Sequence, residues 1–131
     1  MRVVTVTPPS FPSVERDCPL LPQAGREWQV LCGDADHWRA GVFSPQPARA
    51  EEIGELERHT CPELFLLMHG RVTLVLADGA EGRRELPLEL GRPVLVTSAH
   101  AGYCPDGAHT GAALVIERDR FSTEYRAPEA W

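Results

Sequence analysis

Residues that could bind a metal ion are concentrated in one short segment, ERHTCPELFLLMHG, at positions 57–70. Imidazole and carboxylate groups are ligands that Fe²⁺, Mn²⁺, Ni²⁺ and Zn²⁺ all accept. Glu57 and His59 are two residues apart, so they share a face if the segment is extended. A fold that places Glu63, which begins the apolar run, beside them would join His59 and Glu63 in one cluster. His100, which ends the apolar segment VLVTSAH, is the candidate third contributor.

The elements that must position these residues are predicted to be short strands. Twelve Pro and eleven Gly divide the chain, and no long window has a helical apolar period free of these residues. The segment PARAEEIGELERH is the best helix candidate, but Gly54 interrupts it and we expect it to be mostly extended. Roughly eight to ten strand-like segments recur, with a strong turn predicted at Asp78 to Gly82, which is typical of an antiparallel sandwich or barrel.

The totals limit the classes of function. A chain of 131 residues suits a single domain with one core. The net charge of −6 and the pI of about 5.3 argue against a nucleic acid or anionic membrane partner. No apolar run approaches the roughly 20 residues that span a bilayer, and no signal peptide is recognisable, so we expect a cytoplasmic protein. All 13 positive side chains are Arg, which excludes lysine Schiff-base chemistry.

The spacing in the metal-ligand segment resembles the first motif of the cupins, which are small jelly-roll β-barrels. That motif reads G, five residues, HxH, three or four residues, E, six residues, G. His59, Glu63 and Gly70 match its second histidine, its glutamate and its final glycine. The second cupin motif reads G, five residues, PxG, two residues, H, three residues, N, and Gly91 and His100 are the best matches to its first glycine and its histidine.

The chain also departs from these motifs. Glu57 stands where the family has its first histidine, and Glu51 replaces the glycine six residues before it. In the second motif Thr97 replaces the proline, and His100 comes two residues early relative to Gly91. The closing asparagine has no match, because the chain contains no Asn.

The resemblance implies an all-β fold, the double-stranded β-helix (jelly-roll) of a cupin barrel. We expect residues 1–131 to form a single cupin domain, with an N-terminal arm and Pro-rich linker at 1–27, the barrel at 28–118 and a C-terminal tail at 119–131. Small cupins often pair through edge strands and exchanged N-terminal segments. A homodimer is therefore predicted, with the strand RVVTVT as the exchanged arm.

The resemblance further implies a divalent metal ion (Fe, Mn, Ni or Zn) held by His59, Glu63 and His100, with Glu57 as a substitute fourth ligand. The predicted function is to bind this metal and a small polar ligand, sugar-like or carboxylate-like, inside the barrel. An isomerase, epimerase or oxygenase-type enzyme would use Glu57 or Tyr103 as acid/base. The alternatives are a non-catalytic binding module and a barrel filled by its own side chains.

Other candidate residues have simpler interpretations. Cys61 and Cys104 are expected to be small buried thiols, and His69 is expected to be exposed beside the hairpin glycine. His109 could lean over the barrel mouth from a turn. Arg39, Arg58 and Arg84 are candidates for binding a substrate carboxylate or phosphate, although solvated surfaces explain most of the arginines.

Overall fold

Short alternating stretches between Pro and Gly turns form the strands, as the sequence predicts. A computed structural model of the chain describes residues 1–79 and 82–131. The strands in this part of the chain are, in order, β1 (Arg2–Val6), β2 (Trp28–Asp34), β3 (Trp38–Phe43), β4 (Leu56–His59), β5 (Glu63–His69), β6 (Thr73–Ala77), β7 (Arg83–Pro87), β8 (Val94–Val96), β9 (Ala99–Tyr103), β10 (Ala112–Arg118) and β11 (Phe121–Arg126).

The strands form two antiparallel sheets. The six-stranded sheet has the order β1-β11-β4-β9-β6-β7, and the five-stranded sheet has the order β2-β3-β10-β5-β8. Strands that are distant in sequence therefore lie side by side: β4 lies between β11 and β9, and β10 lies between β3 and β5. This arrangement confirms the predicted all-β jelly-roll.

The first and last strands extend the six-stranded sheet beyond the predicted barrel at 28–118. β1 pairs with β11 of its own chain, and β11 pairs with β4. The buried carboxylate of Asp119 fixes the Pro-rich segment that follows β1, because it accepts hydrogen bonds from the backbone N–H and the hydroxyl of Ser10. The ranges 1–27 and 119–131 thus contribute strands to the sheet, and the homodimer stays a prediction.

Side-chain alternation divides the apolar residues between two clusters. The larger cluster lies between the sheets and includes Phe65, Leu74 and Val115. The smaller cluster lies on the opposite face of the six-stranded sheet, where Val75 alternates with Leu74 and Leu76. The residues between the sheets also include the polar side chains described below, so the core and the candidate site share one interior.

Two turn regions bear on the site. Gly70 follows β5 with φ at +66°, and a Cβ there would lie 2.3 Å from the carbonyl oxygen of Thr110, so only glycine fits this hairpin. The predicted turn at Asp78 to Gly82 includes positions 80 and 81, which lie outside the described residues.

Before β4, a short 3-10 helix (Ala50–Glu52) replaces part of the segment that we expected to be extended. None of the helices in the described ranges is long and apolar enough to cross a membrane.

Candidate metal centre

Four residues predicted from the sequence meet at one point between the sheets. Glu57 and His59 lie on the inward face of β4, and Glu57 is directly opposite His100 of β9 in the register. Glu63 begins β5 of the facing sheet. Each side chain points inward because it alternates with outward-facing neighbours along its strand. The spacing that suggested the cluster therefore has a simple origin in the pairing of β4 with β9 and the position of β5 across the interior.

The distances within this cluster are short. Oε2 of Glu63 lies 3.2 Å from Nε2 of His59 and 2.7 Å from Nε2 of His100. Oε1 of Glu57 lies farther away, at 3.6 Å and 3.7 Å from the same two nitrogens. One ligand atom from each of Glu57, His59 and His100 lies within 4.8 Å of the others. Each of the two carboxylates thus lies close to both imidazole nitrogens, and Glu57 is the more distant of the two.

Hydrogen bonds on the far side of each imidazole ring fix its orientation. Nδ1 of His100 donates to the carbonyl oxygen of Ser98 at 2.9 Å, so a neutral ring carries its lone pair on Nε2, which faces the cluster. Nδ1 of His59 lies 2.6 Å from the hydroxyl oxygen of Thr123 on β11. Such outer partners orient the histidines of metal sites and set their tautomers.

Two atoms at the centre of the cluster lack hydrogen-bond partners among the described residues. They are Oε2 of Glu63 and Nε2 of His100, whose residues are 4% and 3% exposed. The two atoms are only 2.7 Å apart, yet they do not have hydrogen-bond geometry with each other. Buried polar atoms nearly always have partners, so this pair fits a group that both could bind.

The charges in the cluster perturb one another strongly. Burial alone would lower the pKa of His59, but hydrogen bonds and charge interactions with Glu57 and Glu63 outweigh burial and raise that pKa to about 10. Burial likewise opposes the shift at His100, where the Glu63 charge raises the pKa. The pKa of Glu63 is lowered well below its usual range, because both histidines outweigh the effect of burial. Without a metal ion, the Glu63 carboxylate therefore favours the protonated form of both imidazole rings.

Glu117 belongs to the same cluster, although the sequence analysis did not select it. It lies on β10, next to β5, and one carboxylate oxygen is within 4.8 Å of ligand atoms of His59 and Glu63. Its Oε2 accepts a hydrogen bond from Nε of Arg39 at 2.8 Å. Burial and the Glu63 carboxylate raise the pKa of Glu117 to about 8, against the influence of Arg39. Side-chain alternation along β10 could have indicated that Glu117 points inward, because it follows buried Val115 by two residues.

Tyr103 is not part of this cluster. It lies three residues after His100 on β9, and an odd spacing places the two side chains on opposite faces of the strand. Its hydroxyl donates to Oε1 of Glu85 at 2.5 Å, and its ring packs against the outer apolar cluster. Tyr125 of β11 instead faces Glu57 from the interior side, where burial and the Glu57 carboxylate raise the tyrosine pKa to about 12.

The remaining candidates lie outside the group of converging ligands. Cys61 and Cys104 are buried thiols, as predicted, and burial raises the pKa of Cys61. His69 is exposed at the end of β5. Nδ1 of His109 lies 2.6 Å from the carbonyl oxygen of Ser44, which holds this histidine in its turn.

A cavity of about 500 Å³ opens onto the cluster from between the sheets. Its walls are mainly apolar and aromatic, and its volume is in the range of small-molecule sites. Its polar residues include Glu57, His59, Glu63 and Glu117, so the candidate metal ligands lie on the cavity surface. The apolar and aromatic wall residues are Val4, Val6, Trp28, Phe43, Pro47, Ile53, Phe65, Ala101, Val115, Phe121 and Tyr125.

Comparisons with known proteins identify the fold. No family model and no curated protein matches the chain. Among solved structures, the iron(II) form of HppE matches with a TM-score of 0.55 and 17% identity over 81% of this chain and 58% of that chain. The hydroxypropylphosphonic acid epoxidase from S. wedmorenis in complex with fosfomycin matches with a TM-score of 0.54 and 17% identity over 88% and 62% of the two chains.

A third match is closer to this chain in size. It is a cupin 2 domain-containing protein from Halorhodospira halophila, with a TM-score of 0.51 and 19% identity over 92% of this chain and 78% of that chain. The chain thus spans about three fifths of the HppE and epoxidase chains and more of the H. halophila protein. Together with the two-sheet topology, these matches show that the chain has the fold of a small cupin.

Proposed function

We propose that this protein binds one divalent metal ion through His59, Glu63 and His100, with Glu57 as a fourth, more distant donor. The observation that carries the proposal is the pair of buried atoms, Oε2 of Glu63 and Nε2 of His100, that lie 2.7 Å apart in the cluster without a hydrogen bond. The hydrogen bond from Nδ1 of His100 to the Ser98 carbonyl supports it, because it leaves Nε2, which lies beside Glu63, as the nitrogen able to bind a metal.

The donor set favours iron(II) among the metals that such residues accept. Two histidines and one carboxylate with open positions are typical of non-haem iron(II) oxygenases. HppE, which shares the fold, has been crystallised with iron(II) and, in complex with substrate, with cobalt(II). Mn²⁺, Ni²⁺ and Zn²⁺ remain the competing ions, since imidazole and carboxylate ligands bind all of them.

We further propose that the protein is an enzyme whose substrate binds in the cavity beside the metal. A bound divalent ion would polarise an oxygen atom of the substrate, and iron(II) would also permit oxygen chemistry. Glu57 would accept or return a proton at its carboxylate, which is one third exposed and faces the cavity. Tyr125 would hold Glu57 in place through its hydroxyl, and Phe65 and Phe121 would exclude water from the reacting groups.

An oxygenase-type reaction is the first candidate, and isomerisation or epimerisation is the second. Both need the same residues, so the metal alone does not separate them. A non-catalytic binding module is the other alternative, and the glutamate at position 57 is the feature that favours it, because the resemblance leads one to expect a histidine there.

Metal reconstitution and turnover test the proposal. Metal-free protein is loaded without oxygen with each of the four ions, and the bound metal is measured after desalting. We expect about one ion per chain, and little binding in His59→Ala and Glu63→Ala. His69→Ala is the matched control, because His69 is an exposed histidine outside the cluster. Less than about 0.1 ion per chain in the wild-type protein would contradict the metal site.

The enzyme and the binding module differ in turnover. The iron(II)-loaded protein is supplied with oxygen and a panel of small molecules, and oxygen consumption and product formation are followed. Turnover that disappears in Glu63→Ala supports the enzyme. If a small molecule binds tightly but is not turned over, either in air or with any of the four metals, the result supports the binding module.

A further inference from the structure

A buried pair of side chains, Arg39 and Glu117, lies directly beside the proposed metal site. The two residues are opposite each other in the register of β3 with β10, and Nε of Arg39 donates to Oε2 of Glu117 at 2.8 Å. Their side chains are 10% and 2% exposed. On the other side of β10, Glu117 lies one step beyond the pairing of Ile116 with Leu64, at the level of Glu63 on β5. The pairing of three strands therefore brings this buried pair against a candidate metal ligand.

Glu117 is close enough to the proposed ligands to become a ligand itself. One of its carboxylate oxygens lies within 4.8 Å of ligand atoms of both His59 and Glu63, and the residue lines the cavity. An additional carboxylate strengthens the binding of a divalent ion, and it occupies a position that a water molecule or a substrate could otherwise use. The placement of Glu117 therefore decides how many positions on the ion stay open.

Arg39 is held from several sides while it donates to Glu117. One of its terminal nitrogens donates to the carbonyl oxygen of Ser10 at 3.1 Å. The backbone N–H and the hydroxyl of Ser10 are bound in turn by the buried carboxylate of Asp119. The guanidinium also lies over the Phe121 ring, 4.9 Å from its centroid. Because a guanidinium donates in a rigid planar fork, these contacts fix the direction from which Arg39 holds Oε2 of Glu117.

We propose that Arg39 is a positioning residue that retains Glu117 off the metal ion, so that the ion keeps open positions for a substrate. This inference rests on the proposed metal-dependent function and identifies the residue that limits its number of ligands. The hydrogen bond from Arg39 does not require an ionised Glu117, since carboxyl and carboxylate oxygens both accept. Arg39 thus serves the metal site and not a substrate carboxylate or phosphate, because a clamp on such an anion would leave Glu117 without its partner in the interior.

Four proteins test this role: the wild type, Arg39→Met, Glu117→Gln and the double variant with both changes. Each is loaded with Mn²⁺ in mildly alkaline buffer. The affinity is measured in competition with a chelator, and the water molecules bound to the ion are counted from water proton relaxation. In Arg39→Met the released carboxylate should bind the ion, which should raise the affinity about tenfold or more and remove about one bound water.

The double variant and a surface variant are the controls. Arg39→Met and the double variant both lack the arginine charge, so a gain in affinity that only Arg39→Met shows is due to the Glu117 carboxylate. The double variant should keep the water count of the wild type. Arg120→Met, which removes an exposed arginine paired with Asp36 outside the cavity wall, should change neither quantity.

The outcomes separate this inference from the proposed function. A wild-type protein that binds none of the four proposed ions refutes the metal site and the inference with it. If the wild type binds the metal, but Arg39→Met binds it no more tightly and keeps its water, or the double variant gains as much affinity, the inference alone is refuted. If Arg39→Met does not fold, Arg39→Gln, which keeps a polar group in the interior but is too short to hold Glu117, is measured in its place with the same expected gain.

Discussion

Replacing Glu63 with Gln should destabilise the metal-free protein far more than an average polar substitution. Glu63 is buried and lies within 3.2 Å of both imidazole nitrogens, so it provides the main counter-charge for two imidazolium groups. The glutamine keeps the size of the side chain and removes its charge. Both histidines must then either stay charged without Glu63 or lose their protons, and either change lowers the free energy of unfolding.

The structure gives the size of this effect. The pKa of His59 rises from 6.5 to about 10, which corresponds to roughly 4 to 5 kcal/mol shared between Glu57 and Glu63. Glu63 is closer to both rings and better shielded from solvent, so we assign it the larger share. Removing one partner of a buried ion pair costs about 3 to 5 kcal/mol. We therefore expect Glu63→Gln to lower the free energy of unfolding by about 3 kcal/mol near pH 6.

The pH dependence of this loss is a sharper test than its size. The raised pKa of His59 gives stability that is fully present below pH 6.5 and is lost as the pH rises through about 10. The lowered pKa of Glu63 gives stability that is present above its ordinary value of 4.5 and is lost as the pH falls. The difference between wild type and Glu63→Gln should therefore be greatest near about pH 5 to 6 and decrease on both sides.

Urea unfolding of chelator-treated protein across this pH range measures the effect. Glu57→Gln is the matched control: its carboxylate is 3.6 Å or more from both nitrogens and one third exposed, so its loss should cost about 1 kcal/mol or less. A loss under about 1 kcal/mol for Glu63→Gln, a loss that does not change with pH, or an equal loss for Glu57→Gln would refute the reasoning.

Three further predictions concern the supports of the site. Thr123→Val removes the hydrogen bond to Nδ1 of His59 and should weaken metal binding about tenfold in competition with a chelating dye, whereas an unchanged affinity would show that Thr123 does not orient the ring. Metal affinity should fall steeply from pH 8 to pH 6, because the raised pKa of His59 makes protons compete with the metal, and calorimetry in two buffers should detect proton release. Gly70→Ala should lower the free energy of unfolding, measured in urea, by about 2 kcal/mol or more, because the added Cβ would clash with the Thr110 carbonyl. Gly91→Ala is the matched control: Gly91 also has a positive φ but no neighbour within 4 Å, so this change should cost about 1 kcal/mol.

The hairpin and the candidate ligands His59 and Glu63 could be recognised in the sequence because their spacing is local. Glu63 begins one strand and Gly70 lies in the turn that follows it, and His59 lies one short turn before that strand. Selecting His100 required only the expectation that a late strand lies beside the strand of Glu57 and His59. These are properties of strand length and alternation, which sequence patterns record directly.

The residues that the sequence did not reveal depend on contacts between distant strands. Glu117 appears in the sequence as an ordinary charged residue at a strand end, and only the pairing of β10 with β5 and β3 places it beside Glu63, with Arg39 as its partner. Tyr125 reaches Glu57 only because β11 joins the sheet instead of forming a tail. Tyr103 lies on the opposite face of β9 from His100, and this separation follows only once β9 is known to extend from Ala99 to Tyr103.

The measurement that tests the central claim most directly is the metal content and ligation of purified, iron(II)-reconstituted protein. Elemental analysis with X-ray absorption should give about one ion per chain, bound by two imidazole nitrogens and carboxylate oxygen, with both features lost in the double variant His59→Ala, His100→Ala. Less than about 0.1 ion per chain, or a bound ion without imidazole ligands, would contradict the account.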